Sequence, residues 1–222
     1  MSLLPNSFLE PLGTTLAFIK APLERVADVL LSEWGTALDA YRKVRTITGE
    51  LDTLLRELDP MKFPWDRVLV IRTATPWLVV LDNQIGYCDI SSYPPFVAER
   101  LRADLVIAIA SPWDGCRFSY SAVDGTGVWR EDLRSVYALK EGGWEFNQQG
   151  TPLEFEEVSQ YSARRVRDRL TTEMVRRYLK AMGLPQLDDE PRQYDGWLME
   201  LVWDHGIPPR IESVEEVKKQ YT

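Results

Sequence analysis

The chain has 222 residues, of which 45% are hydrophobic and 27% are charged, and 26 basic against 34 acidic side chains give a net charge of −8. This composition excludes an intrinsically disordered chain, a disulfide-stapled miniprotein and a generally basic nucleic-acid binder. No Ser/Gly linker, internal repeat or low-complexity tract divides the sequence. We therefore expect one α+β domain over residues 1–222.

The N-terminal stretch MSLLPNSFLEPLG lacks the basic start and the continuous apolar run of a signal peptide. The longest apolar runs, 77–81 and 105–110, are much shorter than the roughly 20 residues of a membrane-spanning helix. These features predict a cytoplasmic protein that does not associate with membranes. In that compartment Cys88 and Cys116 are expected to be reduced structural thiols.

Hydrophobic periodicity predicts alternating strands and helices in the first half of the chain. In chain order these are a strand at 14–20, helices at 22–34 and 51–58, strands at 67–73 and 77–81, and a helix that starts after 91–92. Pro22 suits the first position of a helix because that position needs no N–H donor. The segment 105–110 is apolar on both faces, which predicts a strand covered on both sides.

From Cys116 onward the apolar period changes to two, which is typical of strands with one buried face. Asp124-Gly125, Gly127 and Gly142-Gly143 interrupt this pattern as turns. The sequence therefore predicts a central antiparallel meander within a mixed or mainly antiparallel sheet. A short helix is predicted at 214–221.

The segment from 159 to 182 keeps apolar residues at helical spacing over most of its length, and Gly183 followed by Pro185 is typical of a helix end. We therefore predict a long basic helix at about 159–182. Thr171-Thr172 is compatible with a kink or a second helix start, because threonine disfavours helix interiors. The segment 159–183 carries a charge of +5, which leaves −13 on the remaining residues.

Two interpretations of this basic segment are open. Arginines one helical turn apart, such as Arg165 and Arg169, can grip phosphates bidentately and so form an anion or nucleic-acid contact. Alternatively, the arginines pair internally, at i,i+4 spacing with Asp168 and Glu173 and with the acidic run 154–157. We favour internal pairing, and the acidic remainder of the chain would repel a nucleic acid.

Catalytic and metal-binding constellations are scarce in this sequence. His205 is the single histidine, so any Ser–His, Cys–His or His–metal mechanism would depend on it. Asp124-Gly125-Thr126-Gly127 joins two predicted strands and lacks the Lys-Ser/Thr pair of a phosphate-binding loop. We therefore expect no cofactor and no metal, and we favour a protein without enzymatic activity.

Three tryptophans lie at predicted turns. Trp65, Trp113 and Trp129 stand beside Pro64, Pro112 and Gly127. Exposed aromatic residues at loop tips favour a partner interface, because tryptophan dominates interface hot spots. Packing at the edge of the core is the alternative for each of them.

Three short stretches carry a resemblance to a known family. They are Trp77-x3-Leu81-Asp82-Asn83, the run from Ala163 to Met174, and Tyr178-Leu179-x-Ala181-x-Gly183. Together they resemble an uncharacterised family of bacterial proteins, and this resemblance implies no catalytic residue. The acidic, single-domain α+β profile is also similar to that of immunity proteins that neutralise polymorphic toxins.

The leading hypothesis is a cytosolic, non-enzymatic protein-binding module of the immunity type. An acidic surface would steer a basic protein partner, and aromatic side chains would hold it. The candidate contact residues are Arg165, Arg169, Trp65, Trp113 and Trp129. The alternative is a small enzyme that uses carboxylates with Arg165 and Arg169 to hold an anionic substrate.

Overall fold

The computed structural model describes residues 3–4, 9, 14–34, 41–63, 67–83, 93–111, 113–185, 187, 193–202 and 210–220. These residues form an α+β fold. The strands are β1 (Thr14–Ile19), β2 (Tyr41–Glu50), β3 (Met61–Phe63), β4 (Arg67–Arg72), β5 (Leu78–Asp82), β6 (Leu105–Ser111), β7 (Gly115–Val123), β8 (Trp129–Glu141), β9 (Gly143–Gln149), β10 (Gln193–Val202) and β11 (Arg210–Glu212). The α-helices are α1 (Leu23–Val29), α2 (Leu51–Arg56), α3 (Tyr93–Leu101), α4 (Thr172–Ala181) and α5 (Val214–Lys219).

Nine of these strands form one open antiparallel sheet in the order β2-β10-β4-β5-β1-β6-β7-β8-β9. β3 and β11 pair separately in a small antiparallel sheet. The predicted meander is confirmed as β7–β9, and it lies at one edge of the large sheet rather than at its centre. The edge strands of the large sheet are therefore β2 and β9.

Alternating side chains of the central strands enter two separate cores. Val106, Ala108 and Ala110 of β6 belong to the core covered by α2, α4 and α5, whereas Leu105, Ile107 and Ile109 of β6 belong to the core covered by α1 and α3. The prediction of a strand buried on both sides is therefore confirmed. We call the first side of the sheet the α4 face and the second the α3 face.

The first predicted helices are confirmed in type and place. Pro22 precedes α1 as its N-cap, and the helix continues as a wider π-helical turn over Leu30–Trp34. α2 occupies the predicted leucine segment, and α3 follows the predicted start at 91–92. In α5, Ser213 and Glu216 form a capping box, in which each side chain accepts from the backbone N–H of the other residue.

The prediction of one long basic helix over 159–182 is wrong. Short 3₁₀ turns occupy Val158–Ser162 and Val166–Asp168, and the only α-helix in this part of the described chain is α4. Ala163 and Arg165 have extended ψ angles of 143° and 126°, which no helix can accommodate. Thr171 is the N-cap of α4 and accepts from the Met174 N–H, so the threonine pair marks a new helix start.

No helix among the described residues combines the length and apolar character needed to cross a membrane. Three residues that the sequence singled out, Trp65, Cys88 and His205, lie outside the described residues. Cys116 is described and buried, and its Sγ lies 3.6 Å from the Thr172 hydroxyl oxygen. Burial raises the pKa of the Cys116 thiol to about 11, which suits a structural thiol.

Candidate functional site

A fully buried arginine organises the α4 face beside the meander. Arg134 lies on β8, and only 1% of its surface is exposed. Its Nε donates to Glu156 Oε1 at 2.8 Å, and its Nη2 donates to Glu156 Oε2 at 2.5 Å. Glu156 is itself buried, so both charges of this bidentate ion pair are removed from water.

All five N–H donors of Arg134 have acceptors. Besides the two bonds to Glu156, its Nη1 donates to the carbonyl oxygens of Gln149 and Gly150 at 3.0 and 3.2 Å. The second Nη2 donor reaches the Gln148 side-chain oxygen at 3.0 Å. A guanidinium carries five donors, so none is left without a partner. Arg134 thus ties the end of β9 to the segment that follows it.

Two tyrosines complete this network. Tyr161 donates its hydroxyl to Glu156 Oε2 at 2.7 Å and lies 3.0 Å from the Tyr178 hydroxyl. The Tyr178 oxygen also accepts from the Glu157 N–H at 2.9 Å, which fastens the segment to α4. Burial and the neighbouring hydroxyl and carboxylate raise the pKa of Tyr161 far above its usual range, so it stays protonated. We call Arg134, Glu156, Tyr161 and Tyr178 the clamp.

Glu156 gives the clamp a pH dependence. Burial by itself raises the pKa of this carboxyl, but the bonds from Arg134, the Leu153 N–H and Tyr161 outweigh burial and hold the pKa below its usual value. A lowered native pKa contributes stability that is present above the unfolded-state value of about 4.3 and is lost as the pH falls to the native value.

We therefore expect the free energy of unfolding to fall with pH below about 4.3 more steeply in the wild type than in Glu156→Gln. Urea denaturation at pH values from 5 to 2.5 measures both slopes. A carboxyl ¹³C titration of the wild type supplies a second reading, in which Glu156 stays ionised below its ordinary pKa. Parallel stability curves, together with an ordinary Glu156 titration, would show that the clamp carries no such coupling.

The clamp fixes an irregular segment that presents several arginines. We call residues 163–169 the arginine loop. Gln160 Nε2 donates to the Asp168 carbonyl at 2.9 Å, and Arg169 Nε donates to the Ala163 carbonyl at the same distance. The Arg169 guanidinium also lies 5.5 Å from the ring centre of Phe146 on β9. These bonds close the loop on itself and on the meander.

The predicted pairing of these arginines at i,i+4 spacing is wrong, because the loop is not helical. Arg169 binds a carbonyl and a ring, and no ion pair joins it to Glu173. The side chains of Arg164 and Arg165 are exposed and make no hydrogen bond or ion pair with any described residue. Arg167 is exposed as well, and its Nε lies 3.8 Å from Asp168 Oδ1. The loop therefore keeps most of its positive charge toward solvent.

The predicted pairing of the acidic run 154–157 with the basic segment is confirmed for Glu157, whereas Glu156 pairs with an arginine outside that segment. Glu156 pairs with Arg134, and Glu157 pairs with Arg177 of α4 at 2.6 Å. Because the loop is not helical, Arg165 and Arg169 do not lie one helical turn apart, which the predicted joint anion contact requires. The enzyme alternative, in which carboxylates with Arg165 and Arg169 hold an anionic substrate, stays a prediction.

The described turn tryptophans lie on another part of the molecule. Trp129 is half-buried, and its indole N–H donates to the Ala103 carbonyl at 2.9 Å. It lines a groove of about 630 Å³ between α3 and the β7–β8 turn, where Arg102 Nη2 donates to the Gly127 carbonyl. Trp113 is half-buried at the β6–β7 turn. Trp129 packs against the core of the α3 face, and a partner contact through either tryptophan stays a prediction.

Among the described residues, no group of His, Cys, Asp and Glu side chains is arranged to hold a metal ion. Comparisons with protein-family models, curated proteins and solved structures find no match to this chain.

Proposed function

We propose that this chain is a non-enzymatic protein-binding module and that the arginine loop is part of its contact surface. One observation carries the proposal. The segment from Gly150 to Thr171 contains only two short 3₁₀ turns, yet the buried clamp holds it in one conformation while Arg164, Arg165 and Arg167 face solvent. Irregular segments of this length in a compact fold are uncommon and usually functional.

The energetics of the clamp support a role in positioning. A buried ion pair adds little net stability compared with well-packed apolar side chains, because both charges lose their water. A clamp of this kind is therefore better explained by the conformation it specifies than by the stability it adds. A loop ordered before binding loses less entropy on association. Arginine is also enriched at interface hot spots and binds carboxylates bidentately.

The immunity type and the likeness to an uncharacterised bacterial family are part of the same proposal, as is a cytoplasmic location. The net charge of −8 favours a partner that is basic overall. The arginine loop is a local exception, because its exposed side chains complement an acidic patch. A partner would therefore combine both signs of charge across its interface.

Site-specific photo-crosslinking in the cell that naturally makes the protein tests this proposal. Val158 is 46% exposed in the 3₁₀ turn next to the arginine loop, and a photoreactive residue there leaves every arginine in place. We expect one discrete protein adduct from position 158, and we expect it to disappear in Arg164→Glu/Arg165→Glu.

Two controls make the result specific. Val44 on β2, at the opposite edge of the sheet, is 36% exposed and serves as the matched crosslinking position. Arg25→Glu/Lys43→Glu changes the net charge by the same amount at exposed sites far from the loop. The proposal fails if position 158 gives no discrete adduct, if position 44 gives the same one, or if both double variants abolish it.

A further inference from the structure

The open edge of β9 lies beside the arginine loop. Within the part of the chain that the structure describes, β9 pairs only with β8, so its other side is an edge of the sheet. The Lys140 N–H of β8 donates to the Asp114 carbonyl next to β7, so the backbone groups of Lys140 face β7. Backbone groups alternate in direction along a strand, so those of the neighbouring Leu139 face β9. Leu139 is opposite Glu145, and the backbone N–H and C=O of Glu145 therefore face β8.

Alternation then directs every second residue of β9 outward. The backbone groups of Trp144, Phe146 and Gln148 face away from β8. The N–H of Gln148 agrees with this assignment, because it bonds to the Asn147 side-chain oxygen at 2.8 Å rather than to β8. Trp144 and Phe146 make no backbone hydrogen bond on their outer side to any described residue. This edge has free donors and acceptors for a further strand.

The two edges of the sheet differ in how they are protected. Edge strands usually carry lysine, proline or inward-pointing charges that prevent pairing with another chain. β2 carries Lys43 and Arg45 in its first half. β9, with the sequence GWEFNQQ, contains no basic residue and no proline. β9 is therefore the edge that is open to a further strand.

The positive charge of the arginine loop favours an acidic strand at the open edge of β9. The 3₁₀ turn Val166–Asp168 contacts both β8 and β9, so it packs over these two strands, and Glu145, Asn147 and Gln148 of β9 are exposed. The loop has four arginines and one aspartate, which gives +3 directly beside the edge. Two copies of this chain paired through β9 would bring two such loops together, so like-charge repulsion disfavours self-pairing.

We propose that an extended acidic segment of a partner protein adds to β9 as a further antiparallel or parallel strand, with its carboxylates against the arginine loop. Backbone hydrogen bonds to Trp144, Phe146 and Gln148 hold the segment, and the arginines select its charge. This inference rests on the proposed function and identifies the chemistry of the partner segment.

Strand peptides with alternating valine and glutamate test the inference on the full chain, with glutamine and lysine in place of glutamate as neutral and basic controls. We expect the acidic peptide to bind at least about tenfold more tightly than either control. Amide hydrogen exchange read by NMR should slow most at Trp144 and Phe146, and less at Gln148, whose N–H already bonds to the Asn147 side chain. The exchange of Glu145 and Asn147 should change little, because β8 already protects them.

Two double variants distinguish the contribution of the arginine loop to peptide binding from that of the β9 edge. Arg164→Glu/Arg165→Glu should weaken acidic-peptide binding by at least about tenfold, and Arg25→Glu/Lys43→Glu should change it by less than about twofold. Binding without protection of the three outer amides overturns strand addition. Equal affinity for the three peptides overturns the acidic class. Concentration-dependent dimerisation that protects the same amides without peptide shows that a second copy takes the edge instead.

Failure of this inference remains distinguishable from failure of the proposed function. An adduct at position 158 that depends on Arg164 and Arg165, together with no binding of the acidic peptide, leaves a protein-binding loop whose partner is not an acidic strand. Loss of both results removes the protein-binding proposal as well.

Discussion

Replacement of Arg134 by methionine is expected to lower the free energy of unfolding by about 3–5 kcal/mol, because it leaves the Glu156 carboxylate buried without its counter-charge. The same change removes the donors that hold the carbonyls of Gln149 and Gly150. Urea denaturation at neutral pH measures the loss. Arg130→Gln is the control on the same strand, because Arg130 pairs with Asp124 in an exposed position. We expect it to cost less than about 1 kcal/mol.

A double variant distinguishes the effect of the clamp on stability from its effect on the position of the arginine loop. Arg134→Met/Glu156→Leu removes both buried charges, so it should be more stable than Arg134→Met alone. The segment after β9 then has no polar attachment to β8, and we expect the adduct at position 158 to be lost even though the protein is folded. A double variant that keeps the adduct would mean that the clamp does not position the arginine loop. An Arg134→Met variant as stable as Arg130→Gln would contradict the buried-charge argument.

The strands could be predicted because their burial is periodic in the sequence. β6 is apolar from Leu105 to Ala110 and is buried on both sides. The sequence of β7 alternates as that of a one-sided strand does, but Ser119 and Ser121 on its second face are buried as well, so its burial is not one-sided. The turns at Gly127 and Gly142 have positive φ angles, which explains the glycines there. The position of the meander at the sheet edge could not be predicted, because β1 inserts between β5 and β6 through long-range pairing.

The prediction of a long helix was wrong because apolar residues at helical spacing here enter the core from a segment that is not helical. Tyr161 and Leu170 are buried, as the helical pattern required, but they enter the core from separate turns. Between them, Gln160 bonds to the Asp168 carbonyl and Arg169 bonds to the Ala163 carbonyl and contacts Phe146 of β9, which holds the backbone in a non-helical conformation. Helical propensity is a weak preference that tertiary contacts of this kind override.

The buried pair of Arg134 and Glu156 was not predicted, although the sequence contains a signal for a buried charge. Arg134 follows the same alternation as Val136 and Ala138 of β8, whose side chains are fully buried. A charged residue in register with a buried apolar face predicts a paired charge in the core. The identity of its partner was not predictable, since Glu156 lies in an acidic run in which Glu154 remains exposed.

Replacement of Gly150 by alanine tests the point where β9 passes into the clamped segment. Gly150 has a φ of +78°, and a Cβ there would lie 2.0 Å from the Leu133 carbonyl oxygen. Gly142 has a similar φ of +70°, but a Cβ there would meet no atom within 4 Å. Both alanine variants therefore carry the left-handed strain of about 1–2 kcal/mol, and only Gly150→Ala adds a clash with backbone.

We expect Gly150→Ala to be less stable than Gly142→Ala by at least about 2 kcal/mol, because neither backbone segment can move without breaking the bonds from Arg134. Chemical denaturation of the two variants gives this difference directly, since the shared backbone strain cancels. Crosslinking from position 158 adds a functional reading, which should weaken in Gly150→Ala and persist in Gly142→Ala. Equal stability of the two variants would mean that the chain leaves β9 without the close backbone approach on which the clamp depends.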